Sequence, residues 1–324
     1  MWVLKEKDYK LLENILMTKQ SSLKNVLATY LGKKYTNVVQ TPEYLYAEGT
    51  IPIALVAHMD TVFAEPPTEI FYDTRKNVMW SPQGLGADDR AGVFCILKII
   101  EAGYRPHIIF TTDEEIGCIG ASKLAEIPCP FKDLRYIIEL DRRGFSDCVF
   151  YDCDNPEFTD YVENFGFVTE WGSFTDISEI CPAWGVAGVN LSVGYRDEHS
   201  YTEVLFVGAM LLTISRVKNM LDEKEIPSFK YIPSISHYYN WNKKDLTPRC
   251  YQCSGCGKHF DEEDLFAVRM LDKSIAYFCS DCLDKEANHI EICEHCYHPF
   301  EYEPKEDGFV PYFCPVCEEL DYEN

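Results

Sequence analysis

Between residues 51 and 221, short apolar runs of strand length alternate with segments of helical period, and few architectures accept that order. "IPIALVAH", "RPHIIFTTDEE", "LRYIIELD" and "VAGVNLSVG" read as strands. "DRAGVFCILKIIEAG", "GASKLAEI", "NPEFTDYVENFG" and the long "TEVLFVGAMLLTISRVKNML" read as helices. Strands and helices that take turns along a chain build a parallel sheet covered on both faces, since parallel neighbours need a crossover long enough to hold a helix. The pattern predicts an α/β chain with a three-layer αβα fold around a central, mostly parallel sheet. The sheet should be mixed, because "EYLYAEG" and "IPIALVAH" lie close together. Ahead of it, residues 5 to 31 carry a helical stripe of Leu11, Leu12, Ile15, Leu16, Leu23, Val26 and Leu27.

The periodicity stops after the closing helix. Residues 226–249 collect prolines and aromatics and read as a linker or wrapping segment, so the expected division is 1–225, 226–249 and 250–324. Nine of the 15 cysteines fall in the last part. They include four CxxC pairs: Cys253 with Cys256, Cys279 with Cys282, Cys293 with Cys296, and Cys314 with Cys317. A CxxC knuckle lets two thiolates reach one tetrahedral zinc, and two knuckles close a structural site. The wide gap between the second and third pairs favours two sequential zinc-ribbon-like sites, hence two structural zinc ions. Redox thiols are the alternative, although four pairs in series exceed what exchange chemistry needs. Cys250 forms a competing CxxC with Cys253, and His259, His295 and His298 read as bystanders. So short a segment cannot fold on an apolar core alone, which makes zinc its expected stabiliser.

A formal net charge of -23 argues against nucleic-acid phosphate and anionic lipid as main partners. It could draw in peptide amino termini or simply solvate the surface. From Arg249 onward 18 acidic side chains face 6 basic ones, so the tail suits a protein partner or substrate gating better than nucleic acid. The first residues show neither a signal-peptide core nor a transit-peptide composition, and no run has the length of a membrane span. A cytoplasmic protein is expected. Cys95, Cys118, Cys129, Cys148, Cys153 and Cys181 then read as reduced thiols.

Ligands of open α/β sheets gather beyond the carboxyl ends of the strands. Here "VAHMD" ends in His58 and Asp60, "TTDEE" in Glu114 and Glu115, "IIELD" in Asp141, and "NLSVGYRDEH" reaches His199. "GLGADDRAG" sets Asp88 and Asp89 at the start of a helix, where an N-cap is the ordinary reading. Each motif alone is weak. Five in order at strand ends point to one rim of imidazoles and carboxylates, a donor set suited to catalytic zinc, cobalt or manganese.

The order HxD, ADDRAG, DEEIG, strand-ending Asp and final His resembles the co-catalytic di-zinc peptidase superfamily, which includes peptidase T, the tetrahedral aminopeptidases and the single-domain zinc aminopeptidases. The resemblance covers roughly residues 50 to 220, and "GSFTDI" and "EHSYTE" add to it. It implies two catalytic metals bridged by Asp88, one completed by His58 and Asp141, the other by Glu115 and His199. It also implies that Asp60 orients His58 and that Glu114 is the general base acting on a metal-bridging water. Asp89 is left to a supporting or capping role. The 57 residues between Asp141 and His199 leave no room for a lid domain. The 27 between Asp60 and Asp88 leave none for an inserted β domain. Tyr195, Arg196 and Asp197 are either substrate contacts or ordinary loop residues. An aminopeptidase-type exopeptidase acting on peptides is the expected function; an N-acyl amino acid deacylase and a non-catalytic zinc-ribbon adaptor are the alternatives.

Overall fold

A computed structural model describes residues 4–234, 250–261, 265–272, 274–286, 289–293, 299–304 and 309–321. The chain divides into two compact units, Met1–Ser234 and Ile235–Asn324.

The first unit begins with α1 (Glu6–Leu16) and α2 (Gln20–Gly32), so the N-terminal stripe is two helices rather than one. Val26 is at the surface, 61% exposed, because the buried face of α2 is Leu23, Leu27 and Leu31, while Leu12, Ile15 and Leu16 are buried on α1. There follow β1 (Val38–Gln40), β2 (Tyr44–Ala47), β3 (Ile51–His58), β4 (Phe71–Asp73), β5 (Val78–Trp80), α3 (Ala87–Glu101), β6 (Pro106–Thr111), α4 (Ile119–Ala125) and β7 (Tyr136–Arg142). Next come β8 (Asp147–Val149), α5 (Pro156–Glu163), β9 (Val168–Thr169), α6 (Asp176–Trp184), β10 (Gly188–Ser192), β11 (Tyr195–Arg196), β12 (Val204–Phe206) and α7 (Val207–Leu221).

The main sheet runs β1-β2-β6-β3-β7-β10-β8-β9. Its centre, β6-β3-β7-β10, is parallel, and antiparallel pairings flank it. β2 pairs with β6 and not with the sequence-adjacent β3, because β3 has parallel partners on both edges. Side chains alternate between the layers with the strand period of two. Ile53, Leu55 and Ala57 join Ile108, Phe110, Ile138 and Leu140 in a core shared with α1, α2, α3 and α7. Ala54, Val56, Ile109 and Ile137 face α4 and α6 in a second core. Each buried Leu, Ile or Phe contributes about 1.5–3 kcal/mol, so both faces of the sheet are anchored without help from ligands.

Two elements differ from expectation. Val204–Phe206, expected to open the closing helix, is a strand that pairs with β5, and β11-β12-β5-β4 form a small second sheet. α6 begins within the "GSFTDI" segment, at Asp176, with a capping box between Thr175 and Ser178, where the sequence left no helix assigned. Residues 226–234, expected as linker, are part of the first unit: the Phe229 amide donates to the Arg135 carbonyl, and the Ala187 amide donates to the Phe229 carbonyl. Residues 235–249 of the expected linker lie outside the described residues.

The second unit contains a hairpin, β13 (Cys250–Gln252) with β14 (His259–Asp261), and a four-stranded sheet. The sheet comprises β15 (Leu265–Arg269), β16 (Ile275–Cys279), β17 (Ile290–Ile292) and β18 (Pro299–Glu301), and the unit also has the short helices α8 (Ser280–Glu286), which packs on β16, and α9 (Pro315–Asp321). Among the described residues, no helix is long and apolar enough to cross a membrane.

Candidate metal centre

His58 is the last residue of β3, and the chain beyond it turns so that Asp60 comes back beneath its ring. The His58 Nδ1 lies 3.3 Å from Asp60 Oδ1, and the Glu115 amide donates to Asp60 Oδ2 at 3.1 Å. Asp60 thus ties the end of β3 to the turn after β6. Burial opposes its ionisation, yet the bonds from His58 and the Glu115 amide hold its carboxyl below the usual range.

Asp88 sits at the start of α3 with its two oxygens facing different imidazoles. Oδ1 is 3.1 Å from His58 Nε2, and Oδ2 is 3.1 Å from His199 Nε2. His58 Nε2 is also 3.4 Å from Asp141 Oδ1, and His199 Nε2 is 2.9 Å from Glu115 Oε2. Two groups of donor atoms result, each drawn together within 4.8 Å: His58, Asp88 and Asp141, and Asp88, Glu115 and His199. The Asp88–Asp89 peptide is cis. Asp89 turns inward and accepts from the Gly92 amide at 2.9 Å, which is capping work. Gly92 has to be glycine, since a Cβ there would collide with the Leu140 carbonyl oxygen.

Further side chains hold these donors. Tyr195, buried at 3% exposure, donates to Asp141 Oδ1 at 2.9 Å, and Thr175 Oγ1 donates to Asp141 Oδ2 at 3.1 Å. Tyr195 is therefore a support for Asp141. The Arg196 guanidinium lies 4.7 Å over the Phe145 ring. Asn190 brackets the Asp141 backbone, accepting from its amide at 2.9 Å and donating to its carbonyl at 2.8 Å. Glu203 accepts from the Gly86 amide at 2.6 Å and the Asp88 amide at 2.9 Å, fixing the loop that carries Asp88. The Cys118 thiol donates to Glu114 Oε1 at 3.4 Å.

The sequence assigns no role to Asn190 or Glu139, and it offers Glu203 only as part of the "EHSYTE" segment. Glu139 left the clearest trace: an acidic residue inside the apolar run "YIIEL", on the same face as Asp141.

The electrostatics favour cations. Burial and the Asp141 charge push Glu114 up to about 7, and burial with the Asp88 charge pushes Glu115 up to about 8. Burial lifts Asp141 to about 6 against the pull of His58, while the hydrogen bond to Asp88 raises His199 to about 9. Burial also drives Glu139 far above the carboxylate range. So many mutually repelling carboxylates under a rim with two imidazoles are what divalent ions relieve, and Glu115 Oε1 is buried without a protein partner. The residues present fit such ions.

In the second unit Cys253, Cys256, Cys279 and Cys282 bring their sulfurs within 4.8 Å of one another, and Cys293, Cys314 and Cys317 do the same. The Cys279 amide donates to Cys253 Sγ at 3.3 Å, and the Cys314 amide to Cys293 Sγ at 3.3 Å. Gly255 keeps the first knuckle tight, since a Cβ there would sit 2.8 Å from Cys282 Cβ. Cys296, His295 and His298 lie outside the described residues.

An αβα sheet with imidazole and carboxylate donors at its carboxyl rim defines a metallopeptidase-type hydrolase. The chain belongs to peptidase family M20/M25/M40, whose model matches residues 54–311, and it is a metallopeptidase. No curated protein matches the sequence. Among solved structures, a TET aminopeptidase from a marine-sediment Thaumarchaeota archaeon is similar at 14% identity and a TM-score of 0.51, with 68% of this chain and 98% of that chain covered. The TET1 peptidase of Pyrococcus horikoshii is similar at 14% identity and a TM-score of 0.51, with 67% and 99% covered. These likenesses establish the fold.

Proposed function

We propose that the chain is a di-zinc exopeptidase of the aminopeptidase type, with two further structural zinc ions in the second unit. The observation that carries this reading is the placement of Asp88, one carboxylate shared by two imidazole-carboxylate donor groups. His58 and Asp141 would complete one site with Asp88, and Glu115 and His199 the other. Bound there, a divalent pair lowers the pKa of water and polarises a scissile carbonyl.

The rest of the work falls to the chain. Glu114, held by Cys118 and facing the same cavity as Asp88, Asp141 and His199, takes a proton from the attacking water. As the water oxygen bonds to the carbonyl carbon and the C–N bond breaks, Glu114 returns that proton to the departing amine. Asp60 keeps His58 oriented through Nδ1, and Thr175 and Tyr195 keep Asp141 turned toward the site. The free thiols of the first unit support a reducing, cytoplasmic setting.

Metal analysis of the full chain titrated with zinc tests this reading, with saturation expected at about four ions. A panel of free and N-acetylated dipeptides then separates the chemistries: cleavage confined to free amino termini is the expected result, and cleavage of N-acetyl amino acids would make the chain a deacylase. Saturation at only about two ions, with both cysteine clusters loaded, would overturn the di-zinc centre.

A further inference from the structure

Residues 170–175 connect β9 to α6 across the mouth of the donor rim, and this loop is fixed at three points. Arg142 Nη2 donates to the Trp171 carbonyl at 2.8 Å, and Thr175 Oγ1 donates to Asp141 Oδ2 at 3.1 Å. Between them Gly172 is pressed against the protein, where a Cβ would lie 2.8 Å from Val149 Cγ1 and 3.0 Å from Tyr151 Cε1. The loop backbone is thereby set relative to Asp141.

On this anchored loop, Trp171 and Phe174 stay 48% and 49% exposed. Both line a cavity of about 260 Å³ whose wall also holds Asp88, Glu114, Asp141 and His199. Large aromatics on a pinned loop keep their apolar faces in water, and a ligand that covers them recovers that hydration cost. Of the charged groups beside them, Arg142 Nη2 holds the Trp171 carbonyl and Arg143 pairs with Glu198 at 3.1 Å. The two rings are the large apolar surfaces of this wall and suit an apolar group. A volume below that of an ordinary drug-sized pocket suits one or two residues of a short peptide.

We propose that Trp171 and Phe174 form a specificity site for a bulky apolar side chain adjacent to the scissile bond, so that the substrate class is short peptides with Leu, Phe or a similar residue there. The proposal rests on the exopeptidase reading. Steady-state kinetics of the full-length, zinc-loaded protein on Xaa-Gly and Gly-Xaa dipeptides, with Xaa as Phe, Leu, Ala, Asp or Lys, provide the test. In one of the two positions, kcat/KM for Phe and Leu should exceed that for Ala by about tenfold or more. Trp171→Ala and Phe174→Ala should each remove most of that advantage through KM, lowering kcat/KM for the Phe and Leu peptides more than for the Ala peptide, whereas Trp171→Phe should retain most of it. A Phe-to-Ala ratio unchanged in both alanine variants, or a wild type that prefers Ala, Asp or Lys, overturns the specificity site and leaves the exopeptidase reading intact. A zinc-loaded wild type that cleaves none of the dipeptides overturns both.

Discussion

The two units hold metal-capable clusters that stand in opposite relation to the structure around them. In the first unit, apolar cores on both faces of an eight-stranded sheet place the donors, and the donors themselves sit on the rim. In the second, Cys253, Cys279 and Cys282 are themselves members of the small buried cluster, together with Val268 and Phe278. The first unit sets its donors on the edge of a folded scaffold; the second has cysteine sulfurs at the centre of its small core. Donor chemistry follows the same division, with oxygen and imidazole donors on the rim of the sheet and thiols in the small second unit.

The comparison can be broken most directly by removing metal. Exhaustive chelation should unfold the second unit, since apparent zinc-binding energies in small cysteine sites run to roughly 10 kcal/mol or more, while the first unit keeps its far-UV circular dichroism and loses only activity. Protease digestion of the chelated protein, read by mass spectrometry, checks this: a first unit that is degraded as fast as the second would end the distinction. Cys279→Ser should reproduce the effect on the second unit alone.

Glu114→Gln should leave metal content unchanged and lower kcat by about a thousandfold, the size expected for loss of a general base. Glu203→Ala should act on the scaffold instead. It removes a buried carboxylate that accepts two backbone amides, at a cost of about 2–4 kcal/mol, visible as a lower Tm of the metal-free protein.

His107 offers a probe of the first scaffold far from the rim. Its Nδ1 accepts from the Gly49 amide at 3.0 Å, and burial lowers its pKa to about 4 despite the nearby Glu48 charge. Below the unfolded value of about 6.5 the unfolded chain takes up a proton that the folded one refuses, so stability falls as the pH drops from about 6.5 to about 4. The full loss is roughly 3 kcal/mol. Urea titrations of His107→Gln and wild type at pH 7 and pH 5 should differ in slope, the variant being the flatter. Cys118→Ala should have the smallest effect, a few-fold decrease in kcat that Cys118→Ser restores, because a weak thiol donor only steadies Glu114.

Much of this organisation was legible along the chain. The alternation of elements, the placing of His58, Glu114 and Asp141 at or just beyond the carboxyl ends of strands, and the CxxC pairs are local patterns, and each is a repeat of period or a fixed spacing. The break at Met17 to Lys19 was not legible, because the stripe of apolar residues continues in phase across it. Nor was the β12 strand, whose "VLF" reads equally as the first turn of α7 until β5 is beside it.

Sequence alone determined the fold class, the kinds of donor atom available and the separation of oxygen and nitrogen donors from thiols. Periodicity and donor chemistry belong to each residue and its near neighbours. Only the tertiary structure decided that β2 pairs with β6, that the two oxygens of Asp88 face different imidazoles, that Glu203 and Asn190 hold the backbone beneath the donors, and that Trp171 and Phe174 overlook the cavity. These are choices among partners distant in sequence, settled when the central parallel strands pack and bring the ends of separate segments to one rim.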